Sequence, residues 1–440
     1  MSHSNVRFTV APGGSLHGRL RVPGDKSISH RSIMLGALAE GVTQVAGFLE
    51  GEDSLATLRA FRAMGVEIEG PDHGRVVIHG VGMNGLRSPD APLDLGNSGT
   101  SMRLMAGLLA GQDLEVTLIG DASLSRRPMR RVTDPLALMG AEIGSTPKGT
   151  APLHIRPAGT LTGIDYALPV ASAQVKSCLL LAGLYAQGET CVTEPAPTRD
   201  HTERMLRGFG YPVRRDGNRV CVNGGGSLTA CDIDVPADIS SAAFFLVGAS
   251  IAAGSDLLLE HVGMNPTRDG VVNILRAMGA DIEVSNRRDV GGEPVADLRV
   301  RSADLHGVSI PEDQVPLAID EFPALFVAAA CAAGETVLTG AEELRVKESD
   351  RIQVMADGLT ALGVVAAPTP DGIVIQGGGT IGGGRVDSGG DHRIAMAFTM
   401  AGLRAGAAIE IDDCANVDTS FPGFTALAAA AGLDVRRTDA

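Results

Sequence analysis

A glycine that ends an amphipathic helix recurs six times along this 440-residue chain, and this recurrence restricts the possible folds more than any other feature. The glycines are 69 to 84 residues apart, at Gly65, Gly140, Gly210, Gly279, Gly363 and Gly432. Glycine is common where a helix ends, and after each of these glycines an alternating apolar pattern predicts a β-strand. The sequence therefore predicts an α/β fold of six internal repeats, each of about 70 residues.

A second series, made of small or polar turns that lead into apolar helices, alternates with the glycines. The turns are Asp25-Lys26-Ser27, Asn97-Ser98-Gly99-Thr100, Ser172-Ala173-Gln174, Asp238-Ile239-Ser240-Ser241, Asp320-Glu321-Phe322-Pro323 and Asp391-His392-Arg393. The helices that follow are apolar on almost every face, as in Leu104–Ala110 and Cys178–Leu184, and such helices lie inside a protein. The amphipathic helices are then expected to lie outside, against the sheets.

A chain of this length exceeds what one hydrophobic core supports, and three repeats per domain is the natural division. We predict a first domain over residues 25–236 and a second over 237–440, with residues 1–24 forming strands or a crossover associated with the second. The glycine-rich stretch Gly377–Gly390 is expected to be a flexible loop. Three roughly parallel buried helices per domain would place their N-termini at one end, and two such ends facing each other would form a cleft of positive potential.

Composition limits the partners. The net charge of −15 disfavours nucleic acid and anionic membranes, but it permits a small anionic ligand in a locally basic cleft. The first residues, Met1–Asn5, lack the apolar core of a signal peptide, and no run reaches the roughly 18 apolar residues of a membrane span. Six cysteines without zinc-type spacing are expected to be buried and reduced, so the protein is expected in the cytoplasm.

The segment Pro23–Arg31 is a candidate anion site at a strand-to-helix turn. Asp25 or Ser27 can cap the helix, and the first-turn N–H groups attract anions. Lys26 adds a point charge, and Arg31 adds a planar fork suited to carboxylate or phosphate. Taken alone, a capped helix with two solvated basic side chains explains the segment equally well.

The other turns supply further candidates, which makes the anion site the better interpretation. The first domain adds Gly99, Arg103, Arg127, Ser172, Gln174 and Arg199, and the second adds Asp320, Glu321, Lys347, Glu348, Arg351, His392 and Arg393. Lys347 and Arg351 are spaced to share one face of a helix. Alone, that charged run would be a solvated helix start and His392 a capping or packing residue. Together, many cations beside few acids or bases suit two substrates with several negative charges. The sequence contains neither a triphosphate-binding Gly-x-x-x-x-Gly-Lys-Ser/Thr loop nor a Gly-x-Ser-x-Gly elbow.

Five motifs, in order, resemble those of the 5-enolpyruvylshikimate-3-phosphate synthase family. They are Pro-Gly-Asp-Lys-Ser-Ile-Ser-His-Arg, Gly-Asn-Ser-Gly-Thr-Ser-Met-Arg, Ala-Ser-Ala-Gln-Val-Lys-Ser, Leu-Arg-Val-Lys-Glu-Ser-Asp-Arg and Asp-His-Arg-Ile-Ala-Met. The likeness spans nearly the whole chain, and Ser172-Ala173-Gln174, Thr198–His201 and Glu342–Leu344 resemble the bacterial class II branch. It implies two similar domains of three βαβαββ units each, an inside-out barrel. It also implies a transferase of chorismate and aromatic amino acid biosynthesis that works without a cofactor or metal, as a monomer.

The resemblance also implies which residues bind and react. Shikimate 3-phosphate would be held by Lys26, Ser27, Arg31, Ser172, Ala173, Gln174, Arg199, Asp320 and Lys347. Phosphoenolpyruvate would be held by Lys26, Gly99, Arg127, Gln174, Arg351 and Arg393. The catalytic residues would be Asp320, Glu348 and Lys26.

Two positions depart from the family pattern. Many members have a second serine where this chain has Ala173, and a lysine where it has Thr419. One anion contact is therefore missing or supplied differently, and Arg199 is a candidate to compensate at the first position. Gly99 is where some herbicide-tolerant relatives carry alanine, so sensitivity to glyphosate stays open.

Two other functions compete with this interpretation. The related transferase that acts on UDP-N-acetylglucosamine usually has a cysteine in a glycine-rich loop, and the comparable stretch, Gly120–Pro128, has none. An inactive binding protein would share the architecture, but it would have no reason to keep Asp320, Lys347, Glu348 and Arg351.

Overall fold

A computed structural model describes residues 6–439 of the chain, which form two compact units. The unit called N-terminal here contains residues 24–235 and 290–293. The unit called C-terminal contains residues 6–23, 236–289 and 294–439. Met1–Asn5, the segment that lacks the apolar core of a signal peptide, lies outside the described residues.

The N-terminal unit contains six α-helices and fourteen strands within the described residues. The helices are α1 (Lys26–Leu38), α2 (Glu52–Ala63), α3 (Gly99–Ala110), α4 (Arg130–Leu138), α5 (Ala173–Gly183) and α6 (His201–Gly208). The strands are β3 (Ala39–Glu40), β4 (Val42–Ala46), β5 (Glu67–Asp72), β6 (Arg75–His79), β7 (Leu93–Asp94), β8 (Val116–Ile119), β9 (Glu142–Gly144), β10 (Leu153–Arg156), β11 (Asp165–Ala167), β12 (Glu189–Thr193), β13 (Arg214–Asp216), β14 (Arg219–Asn223), β15 (Leu228–Thr229) and β16 (Ile233–Asp234).

Three four-stranded sheets of one pattern surround the buried helices of this unit. Their strand orders are β16-β4-β6-β5, β7-β8-β10-β9 and β11-β12-β14-β13. In each sheet the first pair is parallel and the other two are antiparallel. Leu153 pairs with Leu118 in the second sheet, and both side chains are buried in the core.

The C-terminal unit contains the other elements. The helices are α7 (Ile239–Ile251), α8 (Gly270–Ala277), α9 (Phe322–Cys331), α10 (Arg351–Ala361), α11 (His392–Ala401) and α12 (Phe424–Ala431). The strands are β1 (Val6–Val10), β2 (His17–Leu20), β17 (Asp256–Gly263), β18 (Asp281–Val290), β19 (Glu293–Arg301), β20 (Gly334–Leu338), β21 (Val365–Thr369), β22 (Gly372–Gly377), β23 (Gly384–Asp387), β24 (Ile409–Asp412) and β25 (Val435–Asp439). The sheets are ordered β23-β24-β1-β25, β18-β19-β17-β2 and β20-β22-β21.

The helices separate into buried and half-buried sets, as the sequence predicts. Helices α1, α3, α5, α7, α9 and α11 bury nearly every residue, and in α7 all of them are buried. The alternate helices bury one face. Each of the six predicted helix-ending glycines has a positive φ, from 79° at Gly210 to 119° at Gly432, a conformation that costs glycine little. The mixed α/β class is confirmed, whereas the division into six repeats stays a prediction.

Two local predictions are wrong. Lys347 and Arg351 do not share a helix, because Asp350 caps α10 by accepting a hydrogen bond from the Gln353 N–H at 3.0 Å. The helix therefore begins at Arg351, and Lys347 follows a short 3₁₀ segment, Glu342–Val346. The stretch Gly377–Gly390 is not one continuous loop, since β23 lies inside it and pairs in parallel with β24.

The prediction that all six cysteines are reduced is wrong for one pair. Cys191 and Cys221 face each other in the register of β12 and β14, with Cα atoms 4.1 Å apart, and the structure joins them in a disulfide. The other four cysteines are free. Thirty residues separate the two bonded cysteines, so their spacing carried no sign of the pairing.

Among residues 6–439, no helix combines the length and apolarity that crossing a membrane requires.

Helices α3 and α5 pack so closely that one glycine at their contact has no room for a side chain. A Cβ atom at Gly107 would lie 2.0 Å from the carbonyl oxygen of Cys178. Because that oxygen belongs to backbone, it cannot rotate away. We expect Gly107→Ala to lower the free energy of unfolding by at least about 2 kcal/mol.

Chemical denaturation of the wild-type protein and the variant measures this difference. Gly379→Ala is the matched control, because a Cβ there meets nothing within 4 Å and the backbone does not have a positive φ. Equal stability of Gly107→Ala and Gly379→Ala would contradict the packing described for α3 and α5.

Candidate functional site

The N-terminal ends of the three buried helices in the N-terminal unit are tied together by side chains. Gln174, at the start of α5, donates to the Thr100 hydroxyl of α3 at 3.0 Å. Arg31 of α1 donates to the Ser177 hydroxyl of α5 at 2.9 Å. These links bring first-turn N–H groups, which have no intrahelical partners, to one end of the unit. That end attracts anions through the aligned peptide dipoles.

Arg31 is buried there and makes three hydrogen bonds, all to neutral oxygens. Nε donates to Thr202 at 2.7 Å, one terminal nitrogen to Ser177, and the other to the Ser27 carbonyl at 2.9 Å. Burial lowers the pKa of Arg31 to about 10, although the charge of Glu203 opposes this shift. The guanidinium therefore stays charged at neutral pH, and its hydrogen-bond partners do not neutralise it.

A second cationic group surrounds the start of α3. A Cβ atom at Gly99 would lie 3.1 Å from Nη1 of Arg127 and 3.4 Å from Nη1 of Arg103. Arg127 also donates to the Asn97 side-chain oxygen at 2.5 Å, and Arg103 donates to Gln174. The structure thus brings together the predicted residues Gly99, Arg127 and Gln174 around a backbone that a ligand can approach closely.

The remaining predicted residues of this unit lie at helix starts. Lys26 opens α1 and pairs with Asp53 at 3.1 Å. Ser172 caps α5 by accepting from the Val175 N–H at 3.4 Å, and Ala173 is the first residue of that helix. Ser27 occupies the first turn of α1.

Arg199 lies just before α6. Burial is the largest cause of the lowered Arg31 pKa, and the positive charge of Arg199 also contributes. The two cations therefore repel each other, and a bound anion would relieve the repulsion.

In the C-terminal unit, acidic residues begin the buried helices. Asp238 caps α7 by accepting from the Ser240 N–H at 2.9 Å, and Asp391 caps α11 by accepting from the Arg393 N–H at 2.9 Å. Glu321 immediately precedes α9. Carboxylates stabilise helix N-termini, and this unit places one at each of these three helix starts. In the N-terminal unit Asp25 caps α1, whereas the hydroxyls of Ser98 and Ser172 cap α3 and α5.

Arg351 connects three carboxylates in this unit. Nε donates to Asp391 at 2.8 Å, Nη1 to Asp320 at 3.1 Å and Nη2 to Glu348 at 2.6 Å. Burial alone would lower the pKa of Arg351, but the charges of Asp391, Glu348 and Asp320 raise it above its usual value. The guanidinium therefore holds two predicted catalytic carboxylates, Asp320 and Glu348, in fixed orientations.

Lys347 lies beside the same carboxylates. Its Nζ is 3.7 Å from Asp320 and 3.8 Å from Glu343. Although Lys347 and Arg351 do not share a helix, both cations approach one oxygen of Asp320. The two cations therefore hold this carboxylate oxygen at a fixed position.

Sequence reasoning missed Arg268, a buried residue that joins the starts of two helices. It donates to Asp238 at 3.0 Å and to the Ser240 hydroxyl at 2.5 Å, and Ser240 in turn donates to Glu321. Glu321 lies 4.0 Å from the predicted ligand Arg393. No signal in the sequence could have found Arg268, which is separated from Glu321 by more than fifty residues and belongs to no motif of the turn series.

Comparison with known proteins gives consistent results. A family model described as EPSP synthase (3-phosphoshikimate 1-carboxyvinyltransferase) matches residues 10–427. A protein named 3-phosphoshikimate 1-carboxyvinyltransferase from Alkalilimnicola ehrlichii is 74% identical over 435 residues, which are 99% of this chain and 98% of the relative. One of the same name from Methylococcus capsulatus is 72% identical over 435 residues, 99% of each chain. A solved structure of EPSP synthase from Acinetobacter baumannii has 60% identity and a TM-score of 0.90, covering 98% of this chain and all of that one.

One histidine beside the cationic residues gives a prediction of pH dependence. His30 is fully buried, with Nδ1 2.8 Å from the Thr57 hydroxyl. Burial, together with the charges of Lys26 and Arg31, lowers the pKa of His30 to about 3, against the opposing charge of Asp25. The unfolded chain binds this proton near pH 6.5 and the folded chain only near pH 3. As the pH falls below about 6.5, this group therefore destabilises the fold by about 1.4 kcal/mol per pH unit.

Urea denaturation between pH 7 and pH 4.5 tests this effect. In His30→Asn, which retains a polar group for Thr57, the free energy of unfolding should fall less steeply with decreasing pH than in the wild-type protein. His73→Asn, which replaces an exposed histidine, should follow the wild-type curve. Parallel curves for His30→Asn and the wild-type protein would contradict a neutral, buried His30.

Proposed function

The chain belongs to the EPSP synthase family, and from this premise we propose that it transfers the enolpyruvyl group of phosphoenolpyruvate to the 5-hydroxyl of shikimate 3-phosphate, with release of phosphate. This is the step of the shikimate pathway that precedes chorismate and the aromatic amino acids. The observation that carries the proposal is the contrast between the two units. One unit holds a buried arginine, Arg31, whose hydrogen bonds go to neutral oxygens at converging helix N-termini, and the other holds carboxylates fixed around Arg351.

Shikimate 3-phosphate is bound through its phosphate and hydroxyl groups. Arg31 supports this role because its hydrogen bonds to neutral oxygens leave a full positive charge for a phosphate. Arg199 supplies a second charge near it, in place of the serine that many members carry at Ala173. The proposed set is Lys26, Ser27, Arg31, Ser172, Ala173, Gln174, Arg199, Asp320 and Lys347.

Phosphoenolpyruvate is bound through its carboxylate and phosphate. The cations around Gly99 support this role, because an anion at the start of α3 would meet Arg127 as well as backbone N–H groups. An alanine at this position would project toward the same arginines. The proposed set is Lys26, Gly99, Arg127, Gln174, Arg351 and Arg393.

The chemistry requires two proton transfers. Asp320 accepts the proton of the 5-hydroxyl as that oxygen attacks C2 of phosphoenolpyruvate. Glu348, which enters the step protonated, delivers its proton to the methylene carbon and takes one back from the resulting methyl group as the C–O bond to phosphate breaks. The proton held by Asp320 leaves with the phosphate. Lys26 and the neighbouring arginines stabilise the charge on the departing phosphate. The hydrogen bonds from Arg351 to both carboxylates support this assignment, since they keep the acid and the base at fixed positions.

We also propose that the protein acts in the cytoplasm as a monomer. Both substrates are multiply charged and cross membranes poorly, so the enzyme must work where they are made. A net charge of −15 favours separated copies. Cell fractionation tests the location. Sedimentation velocity tests the oligomeric state, with 45.3 kDa expected for the monomer.

The activity is tested by phosphate release from phosphoenolpyruvate. We expect release with shikimate 3-phosphate as the acceptor, and none with UDP-N-acetylglucosamine or without an acceptor. Phosphate release with UDP-N-acetylglucosamine but not with shikimate 3-phosphate would assign the chain to the related transferase. No release with any acceptor would favour a binding protein.

Asp320→Asn tests the proposed base. Because an amide cannot accept the 5-hydroxyl proton, we expect kcat to fall on the order of a hundredfold or more. Asp357→Asn is the control, because Asp357 is an exposed acid on α10, bonded to Gln353. An Asp320→Asn variant with nearly wild-type kcat would remove Asp320 from this role.

A further inference from the structure

A lysine with no proposed role in the reaction lies completely buried behind the anion-binding end of the N-terminal unit. Lys176, in the first turn of α5, has no exposed side-chain surface. Its Nζ lies 2.9 Å from Glu194 and 2.8 Å from Glu203, whose side chains are likewise buried. Charges are buried only when partners compensate them, because the desolvation of each ion is costly.

Arg215 completes the group at its outer side. It is 3.5 Å from Glu194 and 3.7 Å from Glu203. With Lys176, these residues form a quartet of two cations and two anions, whose formal charges cancel. Removing one member of such a group leaves an uncompensated charge, so the quartet resists rearrangement.

Two members of the quartet, Lys176 and Glu194, form hydrogen bonds with the segment that precedes Arg199. The Lys176 Nζ donates to the Thr198 carbonyl at 3.4 Å, and the Thr198 hydroxyl donates to Glu194. Thr198 is therefore held through both its backbone and its side chain, and Arg199 is the next residue. Between β12 and α6 these contacts fix the backbone from which the Arg199 side chain extends.

We infer that Lys176 and Glu194 are positioning residues that act through Thr198 to orient Arg199 toward the phosphate of shikimate 3-phosphate. The inference rests on the proposed function and deepens it. An arginine with no fixed support loses conformational entropy when it binds an anion. Anchoring residue 198 reduces that loss. This chain has Ala173 where many relatives have a serine, so the phosphate depends more on Arg199 and on its anchor.

Thr198→Val tests the inference, because valine keeps the shape of threonine and removes only the bond to Glu194. We expect the Kd for shikimate 3-phosphate, measured by calorimetry, to rise about tenfold. The KM for phosphoenolpyruvate and kcat should stay within about twofold of wild type. Thr198→Ser, which restores the hydroxyl, should restore the affinity.

The chain offers a matched control in β12, the strand that precedes Thr198. Thr190 of β12 is fully buried, and its hydroxyl makes no hydrogen bond to any of the described residues. Thr190→Val is therefore the same chemical change without the loss of a bond. It should leave the Kd for shikimate 3-phosphate at the wild-type value.

A double-mutant cycle separates positioning from general destabilisation. If Thr198 acts through Arg199, Thr198→Val should change the Kd by less than about twofold in an Arg199→Ala background. If Thr198→Val does not fold, Lys176→Met combined with Glu203→Gln takes its place. That variant keeps one anion and one cation in the group and removes the contact to the Thr198 carbonyl, and it should raise the same Kd.

The outcomes are distinct. Unchanged affinity in Thr198→Val, or an equal loss with and without Arg199, overturns the inference while leaving the proposed function intact. A wild-type protein that does not bind shikimate 3-phosphate overturns the proposed function, and this inference with it.

Discussion

A guanidinium shielded from water must find its hydrogen bonds inside the protein, and this constraint organises both units. Arg31 satisfies it with neutral oxygens, so its charge remains available. Arg351 satisfies it with the carboxylates of Asp320, Glu348 and Asp391, so its charge is used to hold them. The same side chain therefore prepares one unit to receive an anion and the other to move protons. The difference lies in the groups that accept from each guanidinium. They are two hydroxyls and a backbone carbonyl for Arg31, and three carboxylates for Arg351.

These buried arginines depend on helices that can be enclosed on every side. A helix such as α7, with all its residues buried, has no solvent-facing stripe and must end in turns that satisfy its own backbone. The capping aspartates at residues 238 and 391 do this and also bond to the arginines. Close packing of α3 on α5, with Gly107 against Cys178, brings the first turns near each other. The residues at the helix starts and helix contacts therefore determine both how the helices pack and where the buried charges lie.

Local features were predictable from the sequence, and long-range partners were not. The helix-ending glycines and the apolar helices follow from spacing and composition, and both are found in the structure. The turn residues Gly99, Arg127 and Gln174 were candidates from the sequence, and they do meet. Periodicity could not find Arg268, because its partners come from other helices. Periodicity also wrongly placed Lys347 on a helix. The helix begins only at Arg351, because Asp350 caps it there. The disulfide depends on strand register in the same way.

We propose that a buried arginine at converging helix N-termini, hydrogen-bonded to neutral oxygens, selects a phosphorylated substrate. The most direct measurement is calorimetric titration of the wild-type protein with shikimate 3-phosphate and with shikimate, which lacks only the phosphate. Several charge-assisted hydrogen bonds, each contributing about 1.5–3 kcal/mol, would be lost with the phosphate. We predict that shikimate binds at least about a hundredfold more weakly. Equal affinities for the two compounds would contradict the account.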